Sequence, residues 1–425
     1  MVSSFVEEVI KYKFFVHIFK SGSIKAYIEI VEHMTKIILT LIHFLILIGC
    51  KSSIESTDYF GQAPPDSIPI IFAPDIVSVE GRLEHGISFT PDDRELAFGV
   101  LNKDDFSGKI FYAKKIDKKW TEPVIFEPLK SECAYLPYFS PNGKSLLFTQ
   151  GKADADNACT DIWIVEKVND GWGAPKKLEA PINSASREAN ASMTSDGTIY
   201  FSSNRNCEGK DNCHTADLYY SKLNDNAYKS VDIISEFVSS NDEESIFISP
   251  KEDYIIFCRY TDNESGVDLY ISYRDINNHW VEPQLVDETI NSKDWERRPF
   301  VSIDNKFLFF SRLQIGEKGI NESDIYWVNA SKLFKPFVYN ALSDTTLRIG
   351  EKFEISVPKD YFKDIDDGQL AYSVNHHQFD WLNFDSAQMK LSGRPTVAGD
   401  FELTFTANDM HLNKTSHKVI VTVKK

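Results

Sequence analysis

The sequence predicts an all-β protein: a five-bladed β-propeller over residues 66–336, closed by an N-terminal strand, followed by a small β-sandwich over residues 338–425. Three observations support this fold class. A strand–turn–strand unit recurs at a spacing of about 50 residues, which is typical of propeller blades. An apolar segment ahead of the first unit resembles the outer strand of a blade. After residue 338 the units stop, and short strands of a different pattern follow.

The composition is that of a folded, acidic chain. Of its 425 residues, 42% are hydrophobic and 13% are aromatic, which argues against intrinsic disorder. The 46 Lys and Arg residues against 63 Asp and Glu residues give a formal net charge of −17. Without a basic stripe to neutralise phosphates, no nucleic-acid partner is expected.

Residues 1–50 predict an export and lipidation signal. The apolar run 37–49 (IILTLIHFLILIG) is shorter than the roughly 20 residues of a membrane-spanning helix, and it matches the apolar core of a signal peptide. It ends at Gly49-Cys50, which resembles the processing site of bacterial lipoproteins. The resemblance implies that Cys50 is lipidated. The alternative is an N-terminal helix that packs on the protein.

The predicted lipidation of Cys50 determines what we expect of the segments on either side of it. Residues 51–65 are expected to tether the folded part to the lipid anchor. The expected location is the cell envelope, anchored to the outer membrane on its periplasmic or surface side. Met34 stands just before the apolar run, so residues 1–33 are a candidate over-extended translation start.

The repeat units define the predicted propeller. We number them one to five by their turn segments, each of which reads as a strand, a tight turn rich in Pro, Asp, Asn or Gly, and a second strand. These segments are 88–98, 138–148, 192–201, 247–257 and 300–310. A third strand follows each of them, and in units one to four a fourth strand is expected after Trp120, Trp172, Tyr228 and Trp280.

Unit five lacks a fourth strand of its own. Residues 68–72 (IPIIF) are similar to 122–126 (EPVIF) of unit one, so 68–73 are predicted to supply that strand and to close the ring. The turns and the following Asp-Ile-Tyr strands resemble the WD-like repeats of TolB-type propellers over residues 60–335. The segments 60–65 (FGQAPP) and 71–74 (IFAP) also look like propeller lipoproteins of Bacteroidetes-type bacteria. These resemblances imply the fold and leave the ligand open.

The last part of the chain predicts about seven short strands. It resembles cadherin-like and immunoglobulin-like domains of bacterial surface proteins in four segments: 364–368, 381–385, 391–395 and 406–409. In that family acidic residues can bind Ca²⁺, which implies a calcium site at Asp364, Asp366 and Asp409. The alternative is a solvated acidic turn without an ion, and no other cofactor is expected.

Glutamates recur at one position of the predicted channel mouth, eight residues before the turn. They are Glu84, Glu188, Glu243 and Glu296, whereas unit two has Ala134 there and Glu132 two residues earlier. One interpretation is an acidic ring that binds a ligand or, through Glu132, Glu188 and Glu243, hydrolyses a glycan. The other is structural, each glutamate pairing with an arginine. In this interpretation the expected partners of the glutamates are Arg205, Arg259 and Arg312.

Residues near this mouth that do not repeat are the better candidates for ligand binding, because an active or binding site is normally asymmetric. The asymmetric candidates are His85, Glu132, Arg187 and Trp295, with Arg297 and the ring glutamates completing the candidate set. Two disulfides are plausible in an exported chain, Cys207–Cys213 and Cys133–Cys159. A zinc site at Cys207, Cys213 and His214 is the weaker alternative for the first pair.

Three functions remain open from the sequence. The first is a non-enzymatic envelope lipoprotein that binds another envelope protein, a glycan or peptidoglycan through the propeller face. The second is a glycan-active hydrolase or lyase that uses the channel-mouth carboxylates. The third is adhesion through a Ca²⁺-stiffened C-terminal domain. The sequence contains neither a Gly-x-Ser-x-Gly nucleophile segment nor the full Gly-x-x-x-x-Gly-Lys-Ser/Thr pattern of a phosphate-binding loop, so it offers no motif for those chemistries.

Overall fold

The computed structural model of the protein describes residues 59–151, 160–169, 171–207, 215–261, 266–316, 319–366 and 368–425. These residues confirm the predicted all-β class. Their helical content is limited to four 3-10 turns, at Glu127–Leu129, Arg205–Cys207, Ala330–Lys332 and His376–Gln378. The predicted signal segment with Cys50 lies outside the described residues. Within them, no helix has the length and apolar character needed to cross a membrane.

Each repeat unit forms three longer antiparallel strands. The first strands are almost wholly buried, because both of their faces pack inside the protein. They are Leu83–Phe89, Ala134–Phe139, Glu188–Met193, Glu243–Ile248 and Trp295–Val301. The second strands are Glu95–Leu101, Ser145–Gln150, Ile199–Ser203, Tyr254–Tyr260 and Phe307–Gly316. The third strands are Gly108–Ile116, Asp161–Val168, Asp217–Ser221, Val267–Tyr273 and Gly319–Asn329.

Short strands pair with the outer side of the third strands. In units one to four they are Val124–Ile125, Lys176–Lys177, Asp232–Ile233 and Gln284–Leu285. Two-residue strands at Lys119–Trp120 and Gly171–Trp172 extend the pairing in units one and two, and Leu223–Asn224 pairs with Ala227–Tyr228 in unit three. The third strand of unit five pairs with Ile70–Ile71, with Ile70 opposite Trp327.

A β-bulge interrupts the first strand of every unit, two residues after the glutamate position. The bulge residue has a positive φ each time; it is Gly86, Leu136, Asn190, Ser245 or Arg298. Together these five residues line a central cavity of about 30 Å³, enough room for about one water molecule. The bulges therefore place equivalent residues of the five units around one narrow channel.

The C-terminal part consists of two sheets and a short pairing. Four strands form one sheet, in the order Thr345–Arg348, Lys414–Lys424, Gly399–Asn408 and Ala371–Val374. Three form the other, in the order Phe353–Ser356, Lys390–Gly393 and Leu382–Asp385. Phe337–Val338 also pairs with Phe362–Lys363. Alternating side chains of both sheets, such as Leu391 and Leu403, fill a common core.

The repeat units and the C-terminal part are in direct contact. The ring of Phe337, just ahead of the sandwich, stacks on Tyr273 of unit four at 4.2 Å between ring centroids. The side-chain amide of Asn413 donates hydrogen bonds to the carbonyl oxygens of Ser331 (3.0 Å) and Phe334 (3.1 Å). An aromatic contact with unit four and two hydrogen bonds to the segment after unit five thus attach the C-terminal part to the repeat units.

Candidate functional site

The repeated glutamates are buried and paired with arginines. Glu188, Glu243 and Glu296 lie 3.1, 2.8 and 2.6 Å from the guanidinium nitrogens of their partners. These partners are Arg205, Arg259 and Arg312, which confirms the structural pairing anticipated from the sequence. In unit one, Arg82 takes this role, with its Nε 2.6 Å from Glu84.

A serine four residues before the glutamate completes the arrangement in three units. Ser184, Ser239 and Ser292 each donate a hydroxyl hydrogen bond to the following glutamate, at 2.5–2.6 Å. The regular Ser-x-x-x-Glu spacing is a sequence signal for these positions that the Sequence analysis above does not include. Each glutamate therefore ties the loop that enters its unit to the second strand.

Burial affects the protonation of these carboxylates. Desolvation outweighs the ion pair with Arg82 and raises the pKa of Glu84 to about 7. Desolvation raises the pKa of Glu243 to about 7 as well, against the opposing effects of Ser239 and Arg259. One carboxylate oxygen of each of these two glutamates is buried without a hydrogen-bond partner.

Unit two departs from this pattern. Ala134 occupies the ring position, and Glu132 accepts a hydrogen bond from the amide of Gln150 at 2.8 Å. Gln150 stands opposite Ala134 in the strand pairing. Glu132 is thus engaged by a neutral amide, and it does not join the charge cluster described next.

Four non-repeating charged residues meet at the channel mouth. Glu244 forms ion pairs with two arginines: Arg187 Nη1 lies 2.6 Å from its Oε1, and Arg297 Nη2 lies 2.5 Å from its Oε2. Arg298 approaches the second oxygen at 3.9 Å. The structure thereby brings together Arg187 and Arg297, both candidates from the sequence, with Glu244 and Arg298. We call Arg187, Glu244, Arg297 and Arg298 the arginine cluster.

His85 joins the cluster as a neutral acceptor. Arg298 donates from Nε to His85 Nε2 at 3.1 Å and from Nη1 to the hydroxyl of Ser245 at 2.5 Å. Burial and the charge of Arg298 hold the pKa of His85 well below its usual value. Trp295 lies at the margin, where its ring meets Tyr260 edge-on at 5.8 Å, and Tyr260 in turn lies beneath the Arg297 guanidinium.

The arginine cluster carries more positive than negative charge. Three guanidinium groups surround a single carboxylate. Although burial opposes ionisation, the charges of Arg187, Arg297 and Arg298 lower the pKa of Glu244. Burial and the neighbouring Arg297 lower the pKa of Arg298 to about 10. The nearby carboxylate of Asp242 accepts a hydrogen bond from the Ala216 amide.

The cysteine predictions have different outcomes. Cys133 is a free thiol, so the predicted Cys133–Cys159 disulfide is not formed. Its thiol donates a hydrogen bond to the carbonyl oxygen of Gly151 at 2.9 Å and accepts one from the amide of Gly108 at 3.3 Å. Cys207 is disulfide-bonded. Its predicted partner Cys213 and the alternative zinc ligand His214 lie outside the described residues.

The calcium prediction concerns three aspartates whose contacts the structure describes. Both carboxylate oxygens of Asp409 accept hydrogen bonds from Asn413, one from its backbone amide at 2.7 Å and one from its side chain at 2.6 Å. Asp364 and Asp366 face each other. Desolvation and Asp366 raise the pKa of Asp364 to about 8. Across the described ranges, no three His, Cys, Asp or Glu side chains are arranged to hold a metal ion.

Comparisons with known proteins give a domain family and a set of structural neighbours. Residues 335–424 match the model of the family described as "Putative Ig domain" (He_PIG). The comparison with curated proteins finds no match.

Among solved structures, the chain is similar to a "putative TolB" from Agrobacterium tumefaciens, at 10% identity over 85% of this chain and 91% of that one, with a TM-score of 0.37. It is similar to the endo-arabinase from Bacteroides thetaiotaomicron at 15% identity over 59% and 95%, with a TM-score of 0.38. The β-propeller domain of the Trilobed protease from Pyrococcus furiosus matches at 12% identity over 58% and 82%, with a TM-score of 0.32. The structural neighbours thus include propellers, and the C-terminal part is Ig-like.

Proposed function

We propose that the protein is a lipid-anchored envelope protein whose five-bladed propeller is a non-enzymatic binding scaffold for a glycan or protein partner. Closure of the propeller between its ends is supported by contacts between units five and one. Ile70–Ile71 pairs with the third strand of unit five. Leu83 bridges to Ser323, whose hydroxyl donates to the backbone oxygen of Glu84 at 2.5 Å.

The pairing of the ring glutamates with arginines is the observation that carries the non-enzymatic part of the proposal. Glycoside hydrolysis requires two carboxyl groups that flank the scissile bond and are free to exchange protons or attack. Glu188 and Glu243 instead bind arginine and serine inside the protein. They lie at most 1% exposed, so a sugar cannot reach them without disrupting these contacts. The arrangement favours a rigid binding face over a hydrolase.

Turnover and binding can be separated in one experiment. The full chain in mild detergent would be exposed to envelope glycans and peptidoglycan fragments, and both retention and product release would be measured. We expect retention without products. Glu188→Gln and Glu243→Gln would be compared with Glu288→Gln, which changes an exposed glutamate. Product release that is lost in Glu188→Gln or Glu243→Gln, but kept in Glu288→Gln, would show that the protein is an enzyme.

The lipid anchor is tested independently of the ligand. Cells producing the chain would be labelled with a radioactive fatty acid and separated into membrane and soluble fractions. We expect label and membrane retention in the unaltered chain and loss of both in Cys50→Ser. A Cys50→Ser chain that stays labelled would refute the anchor while leaving the binding proposal untouched.

A further inference from the structure

The arginine cluster has the features of an anion-binding site. Arg297 and Arg298 are at most 9% exposed, and three guanidinium groups share one carboxylate. The buried Nε of Arg297 has no hydrogen-bond partner. A buried charge without a counter-charge is unfavourable, and so is a buried donor without an acceptor. An anionic ligand at the cluster would offset its excess positive charge.

One member of the cluster is accessible from solvent. The Arg187 side chain is 30% exposed, whereas Glu244 behind it is 4% exposed. A ligand can therefore reach the outer side of the Arg187 guanidinium while Glu244 continues to hold its inner side. Planar guanidinium groups match carboxylates particularly well, because two parallel N–H groups can meet two oxygens.

The rest of the molecule limits the kind of anion. The net charge of −17 repels extended polyanions, so the ligand should carry one anionic group on a body that is otherwise neutral. Tyr260 lies against Arg297 of the cluster, and Trp295 meets Tyr260 edge-on; both rings are partly exposed. Aromatic rings pack well against the apolar C–H faces of sugar rings.

We infer that Arg187, with Arg297 and Arg298 behind it, binds the carboxylate of an acidic sugar whose ring packs against Trp295. This inference rests on the proposed binding function and names its ligand class. It also assigns distinct roles: Arg187 contacts the ligand, and Glu244 positions Arg187 and Arg297.

The test uses pairs of related sugars, of which one carries a carboxylate and the other does not. Titration calorimetry on the full chain would compare N-acetylmuramic acid with N-acetylglucosamine, and glucuronic acid with glucose. We expect an acidic sugar to bind at least about tenfold more tightly than its neutral partner, the effect of one good charged contact. Arg187→Gln should abolish the difference and Arg187→Lys should retain part of it. Arg94→Gln, a change at an exposed arginine, should leave it intact.

The outcomes separate this inference from the proposed function. Equal affinity for acidic and neutral sugars would overturn the inference and leave the scaffold proposal standing. Binding of inorganic phosphate in preference to every acidic sugar would keep an anion site but refute the carboxylate. If no sugar binds and only an envelope protein is retained, the ligand class is wrong. Because Arg297 still neutralises Glu244 in Arg187→Gln, this variant should fold, which its circular dichroism spectrum would verify.

Discussion

Glu244→Gln tests whether one carboxylate holds the arginine cluster together. The substitution keeps the shape of the side chain but removes the charge that faces Arg187 and Arg297 at 2.6 and 2.5 Å. Removing one partner of a buried ion pair typically destabilises a protein by about 3–5 kcal/mol. Two hydrogen bonds to charged groups, at about 1.5–3 kcal/mol each, lead to a similar value. Because glutamine can still accept one bond, we expect a loss of about 3 kcal/mol.

The assay is urea unfolding at pH 7 followed by tryptophan fluorescence. The matched control Glu288→Gln, at an exposed position, should change the free energy of unfolding by no more than about 0.5 kcal/mol. Adding Arg297→Met to Glu244→Gln should restore part of the loss, since it removes a charge that the first substitution left unpaired. A loss below about 1 kcal/mol in Glu244→Gln, or no recovery in the double variant, would refute the reasoning.

Three further predictions concern the C-terminal part. Phe337→Ala should destabilise the chain by about 3 kcal/mol in urea unfolding, because it removes a buried ring stacked on Tyr273; a loss below 1 kcal/mol would contradict that contact. Asn413→Ala should lower stability by about 1–3 kcal/mol, because it leaves buried carbonyls without donors; an unchanged calorimetric transition would contradict this. The pKa of Asp364 is raised to about 8 in the folded protein, so stability should fall as pH rises from about 4 to 8. In Asp364→Asn the decline of the melting temperature between pH 7 and 8 should become shallower, leaving the part that Glu84 and Glu243 cause; an unchanged decline would rule out Asp364 as a contributor.

The repeats could be predicted because they rest on local spacing. Turn residues and alternating apolar positions recur in each unit, so a single sequence supplies its own internal comparison. The same logic identified Arg205, Arg259 and Arg312 as partners of the ring glutamates. Arg82 was not identified, because it comes two residues before its glutamate, whereas Arg205, Arg259 and Arg312 come 16 or 17 residues after theirs.

The arginine cluster depends on contacts between units, which spacing along the chain does not reveal. Arg187 comes from unit three, Glu244 from unit four, and Arg297 from unit five. Their meeting follows from the way the first strands surround the channel. The contacts of Asp409 depend on a more local feature: the loop after Asp409 turns Asn413 back onto its carboxylate, a geometry that the sequence of 406–409 does not specify.

Arg298 is difficult to explain by stability alone. It occupies the bulge position of unit five with φ at 58°, where a side chain with a Cβ atom is disfavoured by about 1–2 kcal/mol, while unit one has glycine at the equivalent place. Its guanidinium is also buried next to Arg297, which further lowers its pKa. Both effects oppose folding, and its bonds to His85 and Ser245 hold the charge in the channel. Because Leu136, Asn190 and Ser245 share this positive φ, the feature that distinguishes Arg298 is its buried charge. An anion bound at the channel mouth would compensate that charge, which the repeat architecture does not.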